Sequence, residues 1–228
     1  MKYRAVNYRV LTMSREYGSG GGRIASTIAG WLGWKLLDGE IITAIARRAH
    51  VDSHVVSHYD ERVDSWLRRI NEEAVRGVAM AAGPLGENDI FDAHVMTEFT
   101  RRIVEEAYTA GNCVIVGRGA QCILRERPDV FHVFVYAPFR ERLHRLESRL
   151  PNGVNIEHRI RTVDEERSKY LHQRFGVNWC NPHLYNLMIC SHEDEDATAR
   201  IVVDAMCGQT VKAGGEVAVP ELARQDSH

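Results

Sequence analysis

The stretch from Val10 to Ala25 constrains this chain more than any other. An apolar run ends near Met13, and four glycines, Gly18, Gly20, Gly21 and Gly22, follow within five residues. Ile24, Ile28 and Leu32 then repeat at helical spacing as far as Gly33, a helix stop. Strand, glycine loop and helix is the order in which backbone N–H groups and a helix N-terminus together bind phosphate. The spacing is not the standard G-x-x-x-x-G-K-[ST], in which Lys reaches the outer phosphates and Ser/Thr holds Mg²⁺. With Gly20 as the last loop glycine, Gly21 stands in the lysine register and Gly22 in the Ser/Thr register. Arg15 stands in the register of the first glycine, and Arg15 and Arg23 bring cations close without matching the lysine. On the loop alone, a glycine-rich turn without a ligand remains the alternative.

A chain of 228 residues accommodates one α/β domain with an insertion, or two small domains. Its net charge of −2 gives no global reason to bind nucleic acid or a membrane surface. No run approaches the roughly 20 apolar residues of a membrane span. Met1–Val6 lacks the apolar core of a signal peptide. Five cysteines, odd in number and without a C-x-x-C pair, fit reduced thiols in a cytoplasm and suggest neither zinc nor disulfides.

After the first helix, Lys35-Leu-Leu reads as a second strand ending at Asp38, which either faces a ligand or caps a helix from Glu40 to about Ala49. From Asp52 to Ala110 the pattern is helical, with one face at Val63, Trp66, Leu67, Ile70 and Ala74. Another runs through Val95, Phe99, Ile103 and Ala107, and a loop at 83–89 separates the two. His50, His54 and His58 have helical spacing, but without H-E-x-x-H a solvated face is the better reading. Asn112–Gly117 is a buried strand leading into Gly117-Arg118-Gly119. An arginine between glycines at a strand end suits bidentate contact with a phosphate or a base, a structural salt bridge being the alternative. Asp129–Tyr136 is the next strand.

Pro138 opens a helix with Arg140, Arg142, Arg145 and Arg149, and a turn at 151–153 leads to a second with Arg159, Arg161, Asp164, Arg167 and Lys169. This hairpin either closes over phosphates or is a solvated pair laced with ion pairs such as Glu141–Arg145. A loop carrying Trp179 and Tyr185 precedes a fifth strand at Asn186–Cys190. A last helix starts at Asp194 or Asp196, with Ala197, Ile201, Val202 and Ala205 inward. The periodicity fades after Gly208, and 211–228 reads as a mobile tail.

Three segments together, Ser14-Arg-Glu-Tyr-Gly-Ser-Gly-Gly21, Gly117-Arg-Gly-Ala-Gln-Cys-Ile-Leu124 and Gly176-Val-Asn-Trp-Cys-Asn-Pro-His-Leu-Tyr-Asn-Leu187, resemble the cytidylate kinase-like proteins over about residues 8–208. The resemblance implies an α/β P-loop kinase fold, a three-layer sandwich around a five-stranded parallel sheet. It would be one domain over 1–210, with a helical insertion at about 39–110 and an arginine-rich lid at about 140–175. The implied reaction moves the γ-phosphoryl group of ATP, with Mg²⁺, to a nucleoside monophosphate, first among them CMP or dCMP. A catalytically impaired nucleotide-binding regulator and a kinase for another small acceptor are the other readings.

Carried over by residue, Gly18, Ser19, Gly20, Gly21, Gly22, Arg23 and Arg142 would hold ATP. Arg15 or Arg23 would stand in for the lysine. Arg161 or Arg159, each one position out of the family's register, and Arg167 would stabilise the transferring phosphoryl group. Asp38, Arg118, Asp164 and Arg167 would face the acceptor. No side chain is expected to ligate a metal. The implied partners are ATP and the monophosphate, with no nucleic acid and no membrane, in a monomer or a homodimer. The chain departs from cytidylate kinases proper at Gly119, where they carry Asp, and carries Asn178, Asn181 and Asn186 where aspartates are expected.

Overall fold

The computed structural model describes residues 8–38, 93–151, 153–192 and 194–208. Five strands, β1 (Val10–Arg15), β2 (Lys35–Leu37), β3 (Cys113–Val116), β4 (Val130–Tyr136) and β5 (Leu187–Cys190), form one sheet in the order β2-β3-β1-β4-β5. Every pairing is parallel. The helices are α1 (Gly21–Leu32), α2 (Ala93–Ala110), α3 (Ala120–Ile123), α4 (Phe139–Glu147), α5 (Ile156–Phe175) and α6 (Glu195–Met206). The α/β sheet expected from the sequence is the one observed. The helices expected at 40–49 and 63–74, the 83–89 loop, the three histidines and the tail lie outside the described residues.

The strands read as unbroken apolar runs because helices cover both faces of the sheet. Side chains alternate between those faces. Cys113 and Ile115 join Val10, Leu37, Ile103, Val104 and Ala107 in the core under α2. Val114 and Val116 join Leu11, Met13, Ile24, Ile28, Val202 and Met206 in the core under α1 and α6. A third cluster, Phe134, Leu171 and Trp179, packs α5 onto β4. Trp179, which sequence places in a loop, is thus a core residue.

Helix α6 departs from the expected phase. Its buried residues are Thr198, Ala199, Val202, Val203 and Met206, while Ile201 is 52% exposed. The run Ile201-Val202-Val203 is apolar all round, so pattern leaves the phase open. The start is set by Asp194, whose side chain accepts from the Asp196 and Ala197 N–H groups. The three asparagines that depart from the family pattern are hydrogen-bond acceptors for backbone. Asn178 takes Cys180 N–H at 2.9 Å, Asn181 takes His183 N–H at 3.0 Å, and Asn186 takes His132 N–H at 2.7 Å. Each uses a side-chain oxygen, which asparagine and aspartate share.

β1 is central, and the chain leaves it towards β2 on one side but leaves β3 across β1 towards β4 on the other, so the connections diverge between β1 and β3. The crevice beyond the strand C-termini at such a switch point is where open α/β sheets bind ligands. Arg15, Asp38 and Gly117 stand at those C-termini.

Candidate active site

The glycine loop links β1 to α1. Gly18 and Gly20 have φ of +82° and +80°, in the left-handed region that favours glycine. Space demands glycine as well. A Cβ at Gly18 would lie 2.9 Å from Leu146 Cδ1, and one at Gly20 would lie 2.4 Å from Glu195 Oε1. Gly20 is the N-cap of α1 and has no side chain to cap it, and no acidic residue follows in the first turn. The positive end of α1 therefore borders a loop built for close approach. Nothing lies within 4 Å of a Cβ at Gly22. Ser19 turns inward, its hydroxyl donating to Glu16 O at 2.9 Å. Arg23 is exposed on α1 and pairs with Glu195 at 3.1 Å.

Residues of α4 and α5 grip this loop from the other side. Arg142 is buried, although its neighbours Arg140 and Arg149 are exposed. Its Nε donates to Tyr17 O at 2.9 Å, one Nη lies 2.8 Å from Glu16 Oε2, and the other donates to Asp164. Asp164 accepts the Tyr17 N–H at 2.8 Å, and Glu16 accepts the Ala137 N–H at 3.1 Å. Arg167 donates to Arg15 O at 2.8 Å and lies over the Tyr17 ring at 5.8 Å. Arg145 donates to Ser191 O at 2.8 Å and pairs with Glu141 at 3.7 Å, the i, i+4 pair read from the sequence. Arg142, Asp164 and Arg167, expected at the substrates, are brought together and hold the loop's backbone. Arg161 is not part of this group: it is exposed, with its guanidinium over the Phe139 ring at 5.2 Å. Arg159 is exposed too.

The third component is a cleft of about 50 Å³ at the C-terminal ends of β1 and β3, lined by Arg15, Arg118, Gln121, Arg167, Tyr170 and Trp179 among others. Gly117, Arg118 and Gly119 form three successive left-handed residues, with φ of +79°, +56° and +70°. Left-handed backbone is uncommon for a residue with a side chain, and such strain concentrates at functional sites. Gly119 also has a packing reason, since a Cβ there would lie 2.4 Å from Phe175 Cε2. The aromatic ring excludes the aspartate found at this position in cytidylate kinases proper. Burial, with Arg167 and Arg118 adding repulsion and Asp38 opposing it, lowers the Arg15 pKa to about 9. Arg15 is therefore still a cation at neutral pH. Burial also lowers the pKa of Arg167.

Sequence reasoning singled out neither Glu16, Glu195, Ser191 nor Gln121. Glu16 lies inside the quoted Ser-Arg-Glu segment, and Gln121 is the one amide in an otherwise apolar turn, so a signal was present for both. Nothing in the pattern marks Glu195 or Ser191, which meet the loop across 172 to 175 residues of chain.

A profile of the family described as the cytidylate kinase-like family matches residues 10–193. No curated protein shows significant similarity to the chain. Among solved structures, an uncharacterized protein from Eubacterium ventriosum is similar in fold, with a TM-score of 0.61, 19% identity, and coverage of 86% of this chain and 97% of that one. A shikimate kinase from Acinetobacter baumannii follows at a TM-score of 0.49 and 13% identity, covering 90% and 96%.

Proposed function

The chain belongs to the cytidylate kinase-like family, and from that premise we propose that it moves the γ-phosphoryl group of ATP to a nucleoside monophosphate, CMP or dCMP first. The observation that carries this reading is one arrangement. An uncapped helix N-terminus behind a glycine loop stands beside a cleft lined by Arg15, Arg118 and Arg167. Phosphoryl transfer requires alignment and charge neutralisation rather than covalent help from the protein. In this reading Gly18–Gly22 hold the donor phosphates, and Arg118 with Asp38 orients the acceptor. Arg167 touches both sides, being hydrogen-bonded to the strand end and lining the cleft. No general base is needed, because a nucleotide phosphate is already an anionic nucleophile. Closure of the lid over the bound substrates would exclude water.

The described residues contain no group of three or more His, Cys, Asp or Glu that could hold a metal ion. Mg²⁺ in this reading enters with ATP, held chiefly by phosphate oxygens and water, its usual arrangement. The described cysteines are free, and cytoplasmic reduced thiols belong to the same proposal. One observation favours the second reading, a nucleotide-binding regulator: Arg142 and Asp164 already satisfy each other and the loop. An ADP-release assay with ATP, Mg²⁺ and CMP, dCMP, UMP, AMP or GMP separates the readings. Acceptor-dependent release with CMP is the expected result. ATP binding without release for any of the five would sink the nucleotide kinase reading in favour of the regulator or a kinase for another small acceptor. Arg167→Ala is expected to lower turnover at least about tenfold, the scale of one charge-assisted contact.

A further inference from the structure

Arg15 occupies a place that the standard loop leaves empty. Its side chain leaves the end of β1 and passes the first residue of α1. A Cβ built on Gly21 would lie 2.6 Å from Arg15 Cβ and 3.0 Å from its Cγ. The head then reaches β3, where a Cβ on Gly117 would lie 2.3 Å from Arg15 Nη1. Gly21 stands in the lysine register. A lysine there and an arginine at 15 are sterically incompatible on this backbone. A side chain at 21 conflicts with any side chain at 15, so the missing lysine and the side chain at 15 go together, and the one present here places a cation at the strand-end cleft.

The charged groups lining the cleft are all hydrogen-bond donors. Arg15, Arg118 and Arg167 contribute guanidinium groups, which donate and never accept, beside the Ser14 and Tyr170 hydroxyls. Among the described residues, the charges acting on Arg15 are two cations, Arg167 and Arg118, against one carboxylate, Asp38. Gln121 adds an independent signal. It is 1% exposed and lines the cleft, and its Nε2, near the Tyr185 hydroxyl, makes no well-aligned hydrogen bond. A buried amide without a well-aligned partner calls for an explanation. Size narrows the ligand group. A cleft of about 50 Å³ takes one small oxyanion. A whole drug-sized ligand needs roughly 300 Å³ or more. A phosphoryl group offers three terminal oxygens and nearly two negative charges, which match this donor set. A carboxylate offers two oxygens and one charge.

We propose that Arg15 and Gln121 are specificity-determining residues of the acceptor site, which recognise the phosphoryl group of a phosphate-monoester acceptor. The acceptor part of this inference rests on the kinase reading; the anion-binding part does not. In the bound state Arg15 and Gln121 each donate to a phosphoryl oxygen, and the rest of the acceptor lies outside the cleft. Gly21 and Gly117 are required because Arg15 must pass one and reach the other.

Calorimetric binding of CMP, inorganic phosphate and ATP to the full chain tests this, with Arg15→Ala, Arg15→Lys, Gln121→Met and Gly117→Ala alongside. Arg15→Ala is expected to weaken CMP and phosphate binding at least about tenfold, and ATP binding less than about twofold. Arg15→Lys should recover part of the loss. Gln121→Met should weaken CMP about fivefold, one neutral hydrogen bond. Gly117→Ala should mimic Arg15→Ala by displacing the guanidinium. Loss of ATP binding alone, or equal loss for ATP and CMP, would overturn the inference by returning Arg15 to the donor side. So would a wild-type chain that binds ATP but neither CMP nor phosphate. Absence of transfer together with Arg15-dependent CMP binding would remove the kinase reading and with it the acceptor part, leaving the anion-binding part standing. Transfer to CMP with affinity for CMP unchanged in Arg15→Ala would do the reverse. Urea midpoints of the variants separate loss of fold from loss of binding; should Arg15→Ala unfold, Arg15→Lys and Gln121→Met carry the test.

Discussion

Arg15 and Arg23 flank the same glycine loop and share a side chain, yet the fold gives them opposite surroundings. Arg23, on the first turns of α1, has a side chain 66% exposed and has Glu195 at 3.1 Å. Arg15, one strand end away, is largely withdrawn from water beside Arg167 and Arg118, with Asp38 as the opposing charge. The carboxylate partner of Arg23 is only 10% exposed and has Arg149 at 3.5 Å as well, so this corner of the loop is balanced by its own charges. A buried cation among other cations is expensive, and the fold keeps it only where something else offsets the cost. The lesson is that arginine content does not locate a site. Withdrawal from water without matching carboxylates does.

The comparison extends to buried groups that the protein satisfies internally. Arg142 is as buried as any cation here, but Glu16, Asp164 and Tyr17 O surround it. Arg142→Ala would strand two carboxylates and is expected to cost roughly 3–5 kcal/mol in urea unfolding, the largest effect of the set. A loss under about 1 kcal/mol would show that burial with partners and burial without them are not distinct here. His132, at the opposite end of the sheet, is the buried base that escapes its cost by losing the proton. Burial lowers its pKa to about 4, and its Nδ1 lies 2.6 Å from Thr12 Oγ1. The folded state excludes a proton that the unfolded state binds below its ordinary pKa near 6.5. Stability is therefore full above about pH 6.5 and falls as pH drops towards 4, by about 3 kcal/mol at most. His132→Gln should flatten that slope in denaturation measured across the range.

Smaller effects sharpen the contrast at the loop. Gly117→Ala places a methyl group against Arg15 at a φ of +79°, and about 1–2 kcal/mol of destabilisation is expected. Arg23→Ala should change stability by less than about 1 kcal/mol, because Arg149 at 3.5 Å still pairs with the Glu195 carboxylate. If the two changes cost the same in a thermal melt, the steric link between Arg15 and Gly117 is wrong.

Much of the fold was legible because its signals are local. Val10–Met13, Cys113–Val116 and Val130–Tyr136 are apolar runs long enough to be strands buried on both faces. Gly18 and Gly20 announce the turn between strand and helix. The sites were legible only as candidates. Arg142 and Arg145 share a helix with Arg140 and Arg149, and sequence spacing ranks none above the others. The α6 phase was misread because Ile201-Val202-Val203 is apolar on every side.

The sequence by itself determined the α/β class, the phosphate-type loop and the family, since each depends on residues close together in the chain. It also showed that the standard lysine is absent. Only the tertiary structure decided what that absence means. Whether residue 21 has room for a side chain depends on Arg15, six residues away and crossing over it. Whether residue 119 can be an aspartate depends on Phe175, delivered by α5. Whether an arginine serves the loop or a ligand depends on which carboxylates reach it. Apart from Arg15 itself, those partners lie 22 to 172 residues distant, and no periodicity in the chain encodes their approach.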